Sequence, residues 1–175
     1  AELPILIGVA PFGMIYGVMA LGAGLSAGAA QAMSSIMFAG SAQLVAVQLI
    51  GGAVPAAVVL MTIFVINLRH ALYSASIAPH IHTLSPAWKA LLSYLLTDEA
   101  YAVAVLHFEA DQGAAAFKHW YFLGCGLALW LCWQASTAVG ILLGAVIPPA
   151  WSLDFTLALT FIALLIPSLK DRAAV

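Results

Sequence analysis

Six apolar stretches follow one another along this chain, at about 3–22, 27–51, 54–76, 86–108, 117–147 and 153–169. Each comes close to or exceeds the roughly 20 residues that cross a bilayer as a helix. The connections are short and carry turn residues: Gly22-Ala23-Gly24, Gly51-Gly52 before Pro55, the segment from Pro79 to Pro86, Glu109 to Gly113, and Pro148-Pro149. None is long enough for a separate domain or a flexible linker. Residues 1–175 therefore read as a single all-α, polytopic membrane domain of about six transmembrane helices with Pro and Gly breaks.

Composition excludes the alternatives. Only 7% of residues are charged and 65% are hydrophobic, against about 25% charged in an ordinary soluble domain. A soluble fold of about 150 residues still exposes roughly 30% of its unfolded surface, and this chain has too few polar side chains to cover that area. A soluble enzyme, a nucleic-acid binder and a disordered tail are all excluded. The N-terminal stretch lacks the basic flank and cleavage-like boundary of a signal peptide. The fifth stretch is too long for one perpendicular span, so it is tilted or starts at the interface with Lys118-His119-Trp120. Lys118, Lys170 and Arg172 fall on one side and Lys89 on the other, which places both ends of the chain in the cytoplasm. Cys125 and Cys132, seven residues apart on one helix, are too distant for a disulfide and read as small core residues. The Gly13/Gly17 and Gly140/Gly144 pairs have the spacing that lets helix backbones approach closely in lipid.

Polar residues inside such stretches are the informative ones. In the first, Pro11 and Gly13 are expected to interrupt the helix near mid-membrane and free backbone groups there. In the second, Ser34, Ser41 and Gln48 repeat every seven residues and form one polar seam on a continuous helix, with the small-residue run FAGSAQ (38–43) at its centre. In the third, Asn67, His70 and Ser74 share a face, while Arg69 projects to the opposite side, so Arg69 and His70 are not expected in one cavity. The fourth contains LLTDEAYA (95–102). There Asp98 shares an arc with Ser93, Tyr94, Thr97 and Tyr101, whereas Glu99 points among leucines. Two adjacent carboxylates midway along an apolar helix suit proton exchange or recognition of an ammonium group; an ion pair with Arg69 is the alternative. In the fifth, Trp133, Thr137, Gly140 and Gly144 step down one face as a packing seam or pocket wall. Asp154 reads as a helix-start carboxylate. His80 and His82 have no acidic or Cys partner nearby to complete a metal set, so neither a metal nor any other cofactor is expected.

The PFG…YG opening, FAGSAQ, NLRHALYS with the following APH, LTDEAYA, the Trp/Thr/Gly helix, and LDF leading to IPSLKDR occur in this order. Together they resemble the branched-chain amino acid permease family of the azaleucine-resistance (AzlC) type over nearly the whole chain. The resemblance implies export of branched-chain or similar apolar amino acids across the bacterial inner membrane, and work with a small membrane partner of the AzlD type. Family chains run on with further hydrophobic sequence after the KDR-like run, which implies that the 175 residues stop short of the C-terminal part.

A zwitterionic apolar amino acid makes three demands on such a protein. Its carboxylate needs donors, from freed backbone N–H groups near Pro11–Gly13 or Gly40–Ser41, or from Arg69. Its ammonium needs a counter-charge, for which Asp98 is the first candidate. Its side chain needs an apolar pocket, which Phe12, Phe38 and Trp133 line, with Gln43 and Asn67 as further polar contacts. Asp98, Glu99 and His70 are candidate proton carriers, since no ATP-binding motif is present. A channel-like or structural subunit that leaves coupling to its partner is the second reading. No complete nucleophile–base set supports an intramembrane enzyme. Of the twelve charges, Arg69, Asp98 and Glu99 are the three expected inside the bilayer.

Overall fold

A computed structural model describes residues 3–110 and 117–146; the sixth stretch, Asp154, Pro148-Pro149 and the Lys170–Arg172 part of the orientation argument lie outside the described residues. The described residues form α-helices only. They run α1 (Leu3–Gly22), α2 (Ala27–Ile36), α3 (Gly40–Gly51), α4 (Ala56–Asn67), α5 (Arg69–Ile81), α6 (Pro86–Tyr94), α7 (Asp98–Ala110) and α8 (Lys118–Val146).

Helices α1 and α8 form the spine. Gly13 of α1 meets Trp133 and Ser136 of α8, Gly17 meets Thr137 and Ile141, and Gly144 meets Val18. Residue numbers rise together along the contact, so the two helices run parallel, as a first and a fifth pass must. The glycines make this possible. A Cβ on Gly17 would sit 2.5 Å from the Thr137 carbonyl oxygen, and one on Gly140 would sit 2.7 Å from Met14 Cα. In lipid the close approach gains dispersion contacts in place of a hydrophobic drive.

Helix α1 runs unbroken through Pro11, which corrects the expected interruption there. A proline removes one backbone hydrogen bond, and the rest of α1 is held against α8 by the glycine contact.

The breaks fall elsewhere. The second pass is divided into α2 and α3 by residues 37–39, and the fourth into α6 and α7 by residues 95–97. At 1.5 Å per residue, each pair still holds about 33 Å of helix, enough for a hydrocarbon core of roughly 30 Å. The third pass, α4–α5, is continuous in length but tightens at Leu68, whose N–H bonds to Val65 O at 3.2 Å and whose carbonyl accepts from Ala71 N at 3.0 Å. These are i→i−3 bonds, which rotate the following residues away from the regular helical phase.

Burial arranges the passes. The α4–α5 stretch is only 6% buried, against 39% for α1 and 33% for α8. Its Leu60, Met61, Phe64 and Leu72 are exposed, so this pass faces lipid while α1 and α8 lie inside. At one end Trp88 of α6 packs edge-on against Trp120 of α8, with ring centroids 5.0 Å apart. Lys118 and His119 sit beside them, an arrangement that suits the membrane–water interface.

Candidate functional site

A break inside a membrane helix frees backbone groups that lipid cannot satisfy. At the α2–α3 break three side chains take them up. Gln43 Nε2 donates to Ser34 O at 3.3 Å and to Met37 O. Gln134 Nε2 donates to Ser34 O at 3.2 Å. The Tyr94 hydroxyl donates to Ser35 O. Ser34 Oγ lies 3.2 Å from Thr137 Oγ1, and Gln31 Nε2 donates to Gln134 Oε1 at 2.7 Å. The predicted seam of Ser34, Ser41 and Gln48 therefore does not exist. Ser34 is buried against α8, Ser41 starts the next half-helix, and Gln48 is exposed. The period of seven was projected across a break.

The second break has a local cause. Thr97 Oγ1 accepts from Ala100 N at 3.2 Å, so Thr97 caps α7. Asp98 and Glu99 occupy its first turn, where the helix dipole favours anions. Thr-Asp-Glu is a helix-start signature, and read that way it locates this break in the sequence. By contrast α3 starts at Gly40 behind Ala39, with no side-chain cap. The N–H groups of its first turn have no intrahelical partner.

Both breaks and the Leu68 junction open onto one cavity of about 390 Å³. Leu129 and Trp133 of its wall lie near the middle of α8, so the cavity lies near the bilayer centre. Its polar end comprises Gly40, Ser41, Arg69, His70, Asp98 and Glu99. Its apolar wall includes Ile5, Val9 and Phe12 of α1, Phe38 in the break, Leu44, and Trp133. Gly40 is required here: a Cβ on it would lie 2.8 Å from the Trp133 ring. The Trp133 indole donates to Gln43 Oε1 at 3.1 Å.

The guanidinium of Arg69 joins two half-helix starts. Nη1 lies 2.5 Å from Asp98 Oδ2 on α7, and Nη2 donates to Ser41 Oγ on α3 at 2.6 Å. Three buried side-chain atoms lack a hydrogen-bond partner among the described residues: Asn67 Oδ1, Arg69 Nε and Asp98 Oδ1. All three belong to residues at the starts of α5 and α7 or next to them. His70 Nδ1 lies 3.1 Å from Asn67 O, a contact that requires the proton on Nδ1.

The predicted site residues divide accordingly. Phe12, Phe38, Gly40, Ser41, Arg69, His70, Asp98, Glu99 and Trp133 line the cavity. Gly13, Gln43 and Asn67 do not: Gly13 is sealed against α8, Gln43 is spent on the break and on Trp133, and Asn67 is the last residue of α4. Arg69 and His70, adjacent at the start of α5, both enter the cavity, contrary to the helical projection. Glu99 also faces the cavity rather than the leucines of α6, because α7 starts afresh at Asp98. Thr97 and the wall residues Ile5, Val9, Leu44 and Leu129 were not singled out from the sequence. Among the described residues, His80 and His82 join no group of three side chains able to hold a metal ion.

Interrupted helices around a charged cavity at mid-membrane define a multi-pass, all-α membrane protein. The AzlC protein pattern matches residues 4–147, and the chain belongs to the AzlC family. It is 31% identical over 173 residues to an uncharacterised membrane protein of Archaeoglobus fulgidus, covering 97% of this chain and 73% of that one. It is 24% identical to the inner membrane protein YgaZ of Escherichia coli, covering 98% and 71%. It is 28% identical to the branched-chain amino acid transport protein AzlC of Bacillus subtilis, covering 94% and 63%. No solved structure matches the chain.

Proposed function

We propose that this protein is a secondary transporter that exports branched-chain or similarly apolar amino acids, driven by the proton gradient. One observation carries the reading: a single cavity is lined by apolar side chains, an uncapped half-helix start and the three charges Arg69, Asp98 and Glu99. A zwitterion with an aliphatic side chain matches both kinds of lining. Its carboxylate meets the free N–H groups of α3 and the Arg69 guanidinium. Its ammonium meets the carboxylates of the α7 start. Phe12, Phe38 and Trp133 face its side chain. The name of the Bacillus subtilis relative agrees with this substrate class.

The charge balance supports proton coupling. Arg69, Asp98 and Glu99 sum to −1, so the empty site is neutralised by one proton or by one ammonium group. A small membrane partner of the AzlD type belongs to the same proposal. The alternative, a channel-like subunit, predicts flux indifferent to the gradient. Efflux of radiolabelled leucine, valine and methionine from vesicles, with and without a pH gradient, separates the two. Gradient-dependent efflux that is lost in Arg69→Gln supports the proposal; efflux unchanged by both manipulations refutes it.

A further inference from the structure

We infer that Glu99, rather than Asp98, is the group for which the substrate ammonium and the coupling proton compete. This assignment rests on the transport reading above and names how that site couples.

The two neighbouring carboxylates are not equivalent. Asp98 is committed: its Oδ2 pairs with Arg69, which also holds Ser41. The pair ties the start of α7 to α3 and α5 and cancels its own charge. Glu99 lines the same cavity, is half-buried, and has no hydrogen bond or ion pair with any described residue. An unpaired carboxylate at mid-membrane is costly unless something neutralises it. The cavity walls give it no permanent ion pair: the start of its own helix α7 and the uncapped N–H groups of α3 favour an anion, but neither cancels its charge. Helix α5 presents Arg69, His70 and Tyr73 toward this end, but Arg69 is engaged by Asp98, His70 contacts its own helix at Asn67 O, and Tyr73, whose ring stacks on Tyr101 with centroids 4.6 Å apart, has its hydroxyl toward Asp98 first and carries no positive charge for Glu99. Helix α3 contributes Ser41, which accepts from Arg69. Helices α1 and α8 contribute apolar side chains and Trp133, whose N–H is taken by Gln43. What remains to pair with Glu99 is a mobile cation: a proton or the ammonium of the substrate.

One carboxylate holds either of these but not both, and mutual exclusion at a single site produces exchange. A zwitterion leaves in one direction as a proton returns in the other, so each cycle carries one net positive charge inward. Linkage fixes the sign. Substrate binding requires ionised Glu99, so a proton held there excludes the ammonium and acid pH weakens binding, by up to about tenfold per unit for one competing proton. The same logic excludes apolar acids that lack the amino group from the coupled cycle.

The test uses the whole purified protein in detergent, with L-leucine and its 2-hydroxy analogue as probes. Leucine affinity is measured over a pH series, and proton release on binding is measured in weakly buffered solution. The expected result has three parts: affinity falls by up to about tenfold per pH unit on the acid side, leucine releases up to one proton, and the hydroxy analogue releases none. Glu99→Gln removes both the pH dependence and the release, and Glu99→Asp restores them. Leucine affinity that does not change with pH overturns the assignment, as does proton release abolished by Asp98→Asn but not by Glu99→Gln. If wild-type protein binds no apolar amino acid, the transport reading fails together with it. Leucine binding without proton release at any pH sinks the Glu99 assignment alone.

Discussion

Trp133 and Gln43 are bonded side chain to side chain, indole Nε1 to amide Oε1, at 3.1 Å. The other end of the same amide satisfies carbonyls left free where α2 ends. One residue thus closes a break in the second pass and fixes the ring that forms the cavity wall. Gln43→Leu is expected to leave the Trp133 N–H unpaired and buried, while Ser34 O keeps Gln134 and Met37 O keeps the Ala39 N–H. That loss costs about 1–3 kcal/mol. A lowered thermal unfolding midpoint, together with increased tryptophan mobility by fluorescence, checks it; an unchanged midpoint contradicts the capping role.

Gly40 sits against the outer atoms of that ring. Gly40→Ala places a methyl 2.8 Å from it, so Trp133 must move into the cavity or α3 must shift. The expected outcome is reduced transport, with leucine and isoleucine affected more than alanine. Competition of each amino acid against labelled leucine efflux measures this, and an equal loss for all substrates argues against a steric cause.

The spine makes a contrast between glycines. Gly140→Ala drives a methyl into the α1 backbone at Met14, and the parallel helices must separate. Gly124 lies on the same α8 with nothing within 4 Å of an added Cβ. Gly124→Ala is expected to be neutral or to stabilise by up to ~1 kcal/mol, because alanine is the better helix former. Folded yield and unfolding midpoint should fall for Gly140→Ala and hold or rise for Gly124→Ala.

Arg69 and Asp98 are expected to be coupled. Removing either alone strands the other charge near mid-membrane; removing both does not. A double-mutant cycle with Arg69→Ala and Asp98→Ala should give an interaction energy of about 0.5–3 kcal/mol. Additive effects on stability would mean that the pair does not hold α5 and α7 together.

Much of this protein was legible from its sequence. The apolar run lengths and the scarcity of charge determined the membrane class, since lipid tolerates few unpaired polar groups and fixes how long a helix must be. The glycine spacing at Gly13/Gly17 and Gly140/Gly144 correctly pointed to close helix packing. Cavity-lining residues such as Phe12, Phe38, Ser41, Arg69 and Trp133 were named because they were polar or bulky in places where lipid makes such residues informative.

Only the tertiary structure decided where the helices break and which residues therefore face one another. A helical projection assumes an unbroken 3.6-residue period. That assumption held through Pro11, where a break had been expected, because α8 supports α1. It failed at 37–39, where carbonyl partners come from Gln43, Gln134 and Tyr94, distant in sequence, and at Leu68 and 95–97, where the bonds are local. Each failure turns the next half-helix relative to the one before it, so Glu99 leaves the leucines of α6 and lines the cavity with Asp98, as Arg69 and His70 do at the start of α5. The sequence determined that three charges lie in the membrane. Which carboxylate is paired and which is left open depends on contacts between passes, and no local periodicity encodes those.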